Sequence, residues 1–131
     1  MARRHLAIFL KGTAEKILSG KKRVEVRLSL SKILPYLSVC KNDEIYLKNS
    51  GGKIIGKVTV DNCLYYENLS QAMVADLKNN YFQSATVSNE FWDAKKKAKF
   101  ASIIFLKNPH KFLTPVVYKK HDRRAWIIIE N

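Results

Sequence analysis

The sequence predicts an α+β fold in which a small mixed β-barrel is flanked by short helices. A chain of 131 residues has the length of one domain with a substantial core, so residues 1–131 are expected to form a single domain. Short strand-like and helix-like segments are scattered along the chain, a pattern that favours a mixed barrel over a doubly wound sheet. The clearest hairpin signal runs from Glu44 to Leu64, where Ser50-Gly51-Gly52 separates two strand-like arms.

The N-terminal elements are predicted as a strand, a helix and a second strand. Residues 6–10 form the first strand, and Thr13 is expected to cap the helix that follows. Gly20 lies where a left-handed residue would end that helix. The apolar positions of the helix recur at helical spacing at Ala14, Ile17 and Leu18.

From residue 23 the side chains alternate strictly, as they do in a β-strand. One face carries the apolar residues Val24, Val26 and Leu28, and the other carries Arg23, Glu25 and Arg27. Glu25 and Arg27 are two residues apart on one face, so their side chains lie within about 7 Å and can form an ion pair. This segment therefore predicts either a solvated charged strand face or one wall of a cleft.

The second half of the chain is predicted to add two helices and two strands. Leu69, Met73 and Leu77 share the apolar face of the first of these helices, and Lys95 to Lys97 are carried by the second. The predicted segments are a helix over 68–80, a polar loop over 81–89, a helix over 90–97, a strand over 100–106, an irregular crossover punctuated by Pro109, Phe112 and Pro115, a basic loop over 119–124 and a strand over 126–129.

Three short motifs carry a resemblance to a known family. The spacing G-x-K-x-x-E-x-R, formed here by Gly20, Lys22, Glu25 and Arg27, resembles the signature of the ASCH domain of the PUA-like superfamily. The segment 39–47 resembles that family's "x-G-D-x-I-x-L" strand, with asparagine at position 42 where glycine is usual, and 56–60 resembles its "G-x-V-x-V" strand. The resemblance covers nearly all of the chain and implies a small PUA-like mixed β-barrel associated with RNA.

The same resemblance implies an enzymatic alternative. Some small ASCH proteins are amidohydrolases that act on N4-acetylcytidine, and others are reported as ribonucleases. Lys22 corresponds to the catalytic lysine of the amidohydrolase pattern, but Glu25 stands where that pattern has a threonine nucleophile. The nearest later acid is Asp76. If the protein is an enzyme, Lys22 and Glu25 are the predicted catalytic residues.

The charge balance independently indicates a polyanionic partner. The chain has 24 Lys and Arg residues against 11 Asp and Glu residues, a formal net charge of +13 spread over both halves. Such a surplus attracts nucleic acid and makes binding sensitive to salt. Aromatic residues beside basic ones, at Tyr65, Tyr66, Trp92 and Trp126, offer rings for stacking on unpaired bases. The predicted ligand-binding residues are Lys11, Lys21, Lys22, Glu25, Arg27, Tyr66, Arg123 and Arg124.

Three functions are compatible with these patterns. The first is binding of RNA or a nucleotide-like ligand, the second is hydrolysis of a modified nucleoside or of RNA, and the third is sensing of a small anionic metabolite. An open groove beside Glu25 favours a nucleic-acid strand, whereas a closed pocket there favours one small ligand.

Several other classes are not indicated by the sequence. The histidines at 5, 110 and 121 are widely separated, and Cys40 and Cys63 are expected to be reduced thiols, so no metal is predicted. No cofactor is expected, because the glycine-containing turns lack the residues of a phosphate-binding loop. No apolar run reaches membrane length, and the protein is expected to be cytoplasmic.

Overall fold

A computed structural model describes residues 2–119 and 123–130, and in this part of the chain six strands form one curled sheet accompanied by three helices. The order of the strands across the sheet is β2-β5-β4-β3-β1-β6. The elements are β1 (Arg4–Phe9), α1 (Thr13–Leu18), β2 (Val24–Ser29), β3 (Glu44–Asn49), β4 (Ile54–Tyr66), α2 (Gln71–Ala85), α3 (Asn89–Ala94), β5 (Phe100–Val116) and β6 (Trp126–Glu130).

The sheet curls until its two edges approach each other. Neighbouring strands pair antiparallel except β1 and β3, which are parallel. Arg27 on the edge strand β2 contacts Ile8 on β1 and Trp126 on the opposite edge strand β6. We call this side-chain-bridged gap between β2 and the β1–β6 pair the seam. The barrel-like α+β fold predicted from the sequence is therefore confirmed.

Two apolar clusters lie on the two faces of the sheet. The inner core fills the curl and consists of Ala7, Phe9, Ala14, Ile17, Val39, Ile45, Leu47, Val58, Val60, Ile104 and Trp126. The outer core lies between the back of the sheet and the helices α2 and α3, and consists of Val24, Val26, Leu28, Leu69, Val74, Leu77, Ala85, Trp92, Ala98, Ala101 and Ile103. Because β2 contributes to the outer core with one face, its other face is directed into the curl.

Helix α1 begins one residue earlier than a Thr13 cap requires. Gly12 precedes the helix with φ of 87°, Thr13 is its first residue, and no side chain of the N-cap residue caps it. Instead, the backbone N–H of Ala14 donates to Asn49 Oδ1 at 3.0 Å, so β3 supplies the cap. The predicted cap at Thr13 is wrong. The predicted left-handed Gly20 is confirmed, with φ of 83°.

Helix α2 is longer than predicted. It continues to Ala85 because Tyr81 packs on Phe105, with ring centroids 5.9 Å apart, so the loop prediction is wrong for 81–85. Within α2, Val74 takes the buried position and Met73 is exposed, which corrects the predicted apolar face. The next helix, α3, ends at Ala94 and therefore does not carry the lysines that follow it.

Strand β5 continues through the predicted irregular crossover, with shifts in its register against β4 and a positive φ of 51° at Asn108. Its partner β2 pairs with residues 100–105, and in the described sheet no other strand pairs with that edge of the continuation to Val116. A strand with an open edge tolerates proline, which cannot donate a ladder hydrogen bond, and Pro109 and Pro115 are accommodated there. The neighbouring Gly56 allows a close approach, since an added Cβ would lie 2.6 Å from the His110 carbonyl oxygen and 2.7 Å from the Leu18 side chain.

Among residues 2–119 and 123–130, no helix combines the length and apolar character needed to cross a membrane. Part of the predicted basic loop, residues 120–122, lies outside the described residues.

Candidate functional site

The charged residues of the G-x-K-x-x-E-x-R segment form a compact ion triad. Lys22 Nζ lies 3.0 Å from Glu25 Oε1, and Arg27 Nε lies 2.7 Å from Glu25 Oε2. Lys22 and Glu25 are only 1% and 5% exposed, whereas the side chain of Arg27 is 20% exposed. The ion triad therefore has two buried members and one member that reaches the surface of the seam.

The strand alternation explains why these charges are buried. Val24, Val26 and Leu28 pack in the outer core, so Glu25 and Arg27 point into the curled side of the sheet. Lys22 is held just before the strand, where its backbone N–H donates to the Lys16 carbonyl at 3.0 Å at the end of α1. The charged face is thus not a solvated strand surface.

Glu25 is held in its ionised form. Burial would raise the pKa of its carboxyl, but the charges of Arg27 and Lys22 and their hydrogen bonds outweigh burial and leave that pKa below its ordinary value. The Lys22 ammonium also donates a hydrogen bond to the carbonyl of Ala85 at the end of α2. Both carboxylate oxygens and the ammonium are therefore engaged within the protein.

Arg27 is fixed from several directions. Its Nη2 donates to the carbonyl of Ile8 at 3.2 Å, and its Cζ lies 5.2 Å from the ring centre of Phe9 and 5.1 Å from that of Trp126. These contacts join β2 to β1 and β6 across the seam. They orient a guanidinium that remains partly accessible to solvent.

A second buried network supports the same tryptophan. Trp126 Nε1 donates to His5 Nδ1 at 3.1 Å, and His5 Nε2 lies 2.8 Å from Asp43 Oδ2. Since Nδ1 accepts the indole hydrogen, the proton of His5 is assigned to Nε2, which donates to Asp43. Asp43 also accepts from the backbone N–H groups of Arg3 and Cys40. Although burial would raise the pKa of Asp43, these hydrogen bonds hold it below its ordinary value.

Sequence reasoning missed this network. His5 and Asp43 are 38 positions apart and His5 and Trp126 are 121 apart, so no local spacing marks them. The available signal was the strand motif that contains Asp43. The residue before it, Asn42, has φ of 74°, a left-handed conformation that accounts for the glycine usual at that position.

The other predicted site residues fall into two groups. Lys11 and Lys21 are exposed just before and just after α1, and Arg123 and Arg124 are exposed just before Trp126. These four residues adjoin the segments that hold Arg27. Tyr66, by contrast, packs against the outer core, on the face of the sheet that Glu25 does not occupy.

Three further residues raised by the sequence are not available at the seam surface. Trp92 is buried in the outer core and so is unavailable for base stacking. Trp126 is buried in the inner core, and Asp76 is on an exposed part of α2.

Two shallow pockets occur away from the ion triad. The first, which we call the lysine pocket, has a volume of about 320 Å³ and is lined by Leu30, Leu69, Gln71, Lys96, Lys97, Ala98 and Lys99. The second has a volume of about 460 Å³ and is lined by residues of α2 and by the first residue of α3, namely Lys78, Asn79, Asn80, Phe82, Gln83 and Asn89. Neither pocket is lined by a member of the ion triad.

Within the described ranges, no group of three or more His, Cys, Asp or Glu side chains is arranged to hold a metal ion. Both cysteines are free thiols, with Cys40 exposed and Cys63 partly buried. Burial raises the pKa of the Cys63 thiol to about 11, so this thiol is protonated at neutral pH.

A curled six-stranded sheet with a lysine, glutamate and arginine triad at its seam defines a small basic barrel protein. The sequence model of the ASCH domain matches residues 11–115, and the chain belongs to the ASCH domain family.

Solved structures of similar fold support the architecture. The crystal structure of ASCH from Zymomonas mobilis matches with a TM-score of 0.76 and 14% identity, covering 98% of this chain and 88% of that one. Two structures of single-substitution mutants of that protein match with TM-scores of 0.74 and 0.75 and identities of 18% and 16%, covering 98% of this chain and 89% and 91% of theirs. At these identities the likeness concerns the fold. In the comparison with curated proteins, no sequence matched.

Proposed function

We propose that this protein binds single-stranded RNA along the seam, with Arg27 as the central contact. The observation that carries the proposal is an oriented, partly exposed guanidinium on a domain of net charge +13. RNA is the polyanion that the ASCH resemblance favours, and a basic surface of this kind attracts it electrostatically.

The chemistry of Arg27 suits such a contact. Its Nε and Nη2 are used by Glu25 and Ile8, and within the described residues Nη1 makes no hydrogen bond. A guanidinium that is already oriented loses little freedom when it binds a phosphate oxygen or a base carbonyl. The ion triad thus acts as a support that holds one cation ready for the ligand.

Exposed basic residues beside the seam extend this contact. Lys11 lies two residues after Phe9, which contacts the Arg27 guanidinium, and Lys21 directly precedes Lys22. Arg123 is three residues before Trp126, the second ring beside Arg27. These side chains would bind phosphates on either side of the nucleotide held at Arg27.

The geometry favours binding over hydrolysis. A general base needs a free carboxylate oxygen near the substrate, but both oxygens of Glu25 are occupied by Lys22 and Arg27. The Lys22 side chain is engaged as well, since its Nζ lies 3.0 Å from Glu25 Oε1 and donates to the Ala85 carbonyl.

The test is a fluorescence anisotropy titration of a labelled single-stranded RNA at several salt concentrations. The triple variant Lys11→Gln/Lys21→Gln/Arg123→Gln removes three exposed charges beside the seam and leaves the ion triad intact. Each lost phosphate contact on a single strand reduces the slope of log affinity against log salt by about 0.7, so a reduction of about 2 is expected.

A matched control separates the seam from total charge. The variant Lys41→Gln/Lys53→Gln/Lys111→Gln removes the same charge from exposed positions outside the predicted site, and its slope should stay close to that of the unmodified protein. Equal losses in the two variants would show that the seam is not the binding surface. Absence of RNA binding by the unmodified protein would refute the proposed function itself.

A further inference from the structure

The lysine pocket lies at the far end of the strand that carries the ion triad. Leu30 directly follows β2 and is 73% exposed, while the neighbouring Leu69 is buried. The pocket walls are tied together, since Lys99 N–H donates to the Ser29 carbonyl at 2.9 Å and Leu69 N–H donates to the Lys99 carbonyl at 3.0 Å. The pocket is therefore a fixed part of the fold.

The charge of this pocket is uncompensated. Lys96, Lys97 and Lys99 contribute to its lining, which contains no acidic residue. None of the three forms an ion pair with another residue in the ranges 2–119 and 123–130. Three lysines at one concave surface attract an anion with several negative charges in a row.

Two aromatic rings lie at the start of β5, on the face of the sheet that carries Glu25 and Arg27. Phe100 directly follows Lys99, its ring centroid is 5.1 Å from that of Tyr36, and Lys32 Nζ lies 5.9 Å from its centre. Both rings are partly exposed. Lys32 beside the Phe100 ring is a combination that suits unpaired nucleic acid between the seam and the pocket, because phosphates contact cations and bases stack on rings.

The position along β2 connects the pocket to the seam. Leu30 is three residues beyond Arg27, and a strand rises about 3.3 Å per residue, so the backbone separation is about 10 Å. A short stretch of single-stranded RNA can cover that distance. β2 is an edge strand, and its second edge is not covered by another strand of the described sheet.

We infer that the lysine pocket is a second subsite for the same RNA strand, which binds backbone phosphates after the strand leaves the seam. This inference rests on the proposed function and adds to it a direction along β2 and a minimum length of ligand. A strand of about two nucleotides would occupy the seam alone, whereas one of about ten would reach both surfaces.

The experiment compares these two lengths of labelled single-stranded RNA. In the variant Lys96→Gln/Lys97→Gln/Lys99→Gln, the longer RNA should bind at least about tenfold more weakly and lose about 2 from its salt slope. Binding of the shorter RNA should change by less than about twofold. The variant Lys41→Gln/Lys53→Gln/Lys111→Gln is again the charge-matched control, and a thermal melt of each variant checks that the fold is retained.

The outcomes distinguish a failure of the second subsite from a failure of RNA binding at the seam. Equal weakening for both lengths, or a loss no larger than in the control variant, would overturn the second subsite while leaving RNA binding at the seam intact. Failure of both RNAs to bind the unmodified protein would refute RNA binding, and the subsite with it. If an acidic peptide binds at the pocket lysines and the longer RNA does not, the pocket is a protein-docking surface and the inference is wrong.

Discussion

Replacing Glu25 with glutamine keeps the size of the side chain and removes the central charge of the ion triad. The variant leaves two cations facing each other across a neutral amide. Arg27, with its side chain 20% exposed, can regain contact with water, but Lys22 is 1% exposed and cannot do so without local rearrangement. The cost of the substitution therefore falls mainly on the buried ammonium.

The expected magnitude follows from that burial. Removing one partner of a buried ion pair destabilises a protein by about 3 to 5 kcal/mol, because the remaining charge is desolvated without compensation. Total stability of a domain is only about 5 to 15 kcal/mol. With a urea dependence of about 2 kcal/mol per M, the unfolding midpoint of Glu25→Gln should fall by about 2 M.

Urea unfolding at pH 7 measures this change, with two comparison variants. Glu90→Gln alters an exposed glutamate of α3 and should change the free energy of unfolding by less than about 0.5 kcal/mol. Lys22→Met/Glu25→Gln removes the uncompensated ammonium as well and should be more stable than Glu25→Gln alone. The burial argument would be refuted if the free energy of unfolding of Glu25→Gln lay within about 0.5 kcal/mol of that of the unmodified protein. It would also be refuted if the double variant were no more stable than Glu25→Gln.

Three further predictions concern other features of the fold. The folded-state pKa values of Glu25 and Asp43 lie below their ordinary values of 4.5 and 3.8, so their contribution to stability is complete above those values and is lost as pH falls through the folded-state values. Urea midpoints measured from pH 7 downward should therefore decline at acid pH, and the decline should be less steep in Glu25→Gln. An equal decline in the two proteins would contradict the lowered pKa of Glu25. Gly56→Ala should lower the free energy of unfolding by about 1 to 3 kcal/mol in thermal or urea unfolding, because its Cβ would meet the His110 carbonyl. Gly52→Ala, with only a 3.4 Å contact, should lower it less. Equal losses in the two variants would count against the close approach at Gly56. His5→Phe should lower the free energy of unfolding by about 3 kcal/mol and alter Trp126 fluorescence, because the indole N–H and the Asp43 carboxylate both lose their hydrogen bond to His5. An unchanged urea midpoint would show that this network does not contribute to stability.

The sequence was most informative where structure depends on neighbouring residues. The alternation from Val24 to Leu28 correctly predicted β2 and the side of it that carries Glu25 and Arg27, because a strand's period of two is a local property. The same pattern could not show that the charged side faces a seam. That depends on the curl of the whole sheet, which brings Ile8 and Trp126 to Arg27.

The errors in element bounds have a similar cause. Prolines at 109 and 115 indicate an irregular segment when read locally, but β2 is too short to pair there and leaves the edge of β5 open. Likewise, the polar segment 81–89 is typical of a loop when read locally, but its first residues are helical because Tyr81 packs on Phe105 in the outer core. In both cases tertiary contacts override the local pattern.

The candidate site was only partly accessible from sequence for the same reason. Lys22, Glu25 and Arg27 lie close together in the chain, and their contact follows from strand geometry. His5, Asp43 and Trp126 are brought together by the pairing of β1 with β3 and β6, which no short motif encodes. Tyr66 was predicted at the site from its neighbours, yet the pleat directs it to the outer core.

The most direct test of RNA binding at the seam is a nuclear magnetic resonance titration that follows two side-chain N–H signals. The Arg27 Nε–H, which donates to Glu25, and the Trp126 indole N–H, which donates to His5, report on the two sides of the seam. Addition of a single-stranded RNA of about four nucleotides is predicted to shift both signals in proportion to occupancy. RNA that binds while both signals stay unchanged would contradict the account.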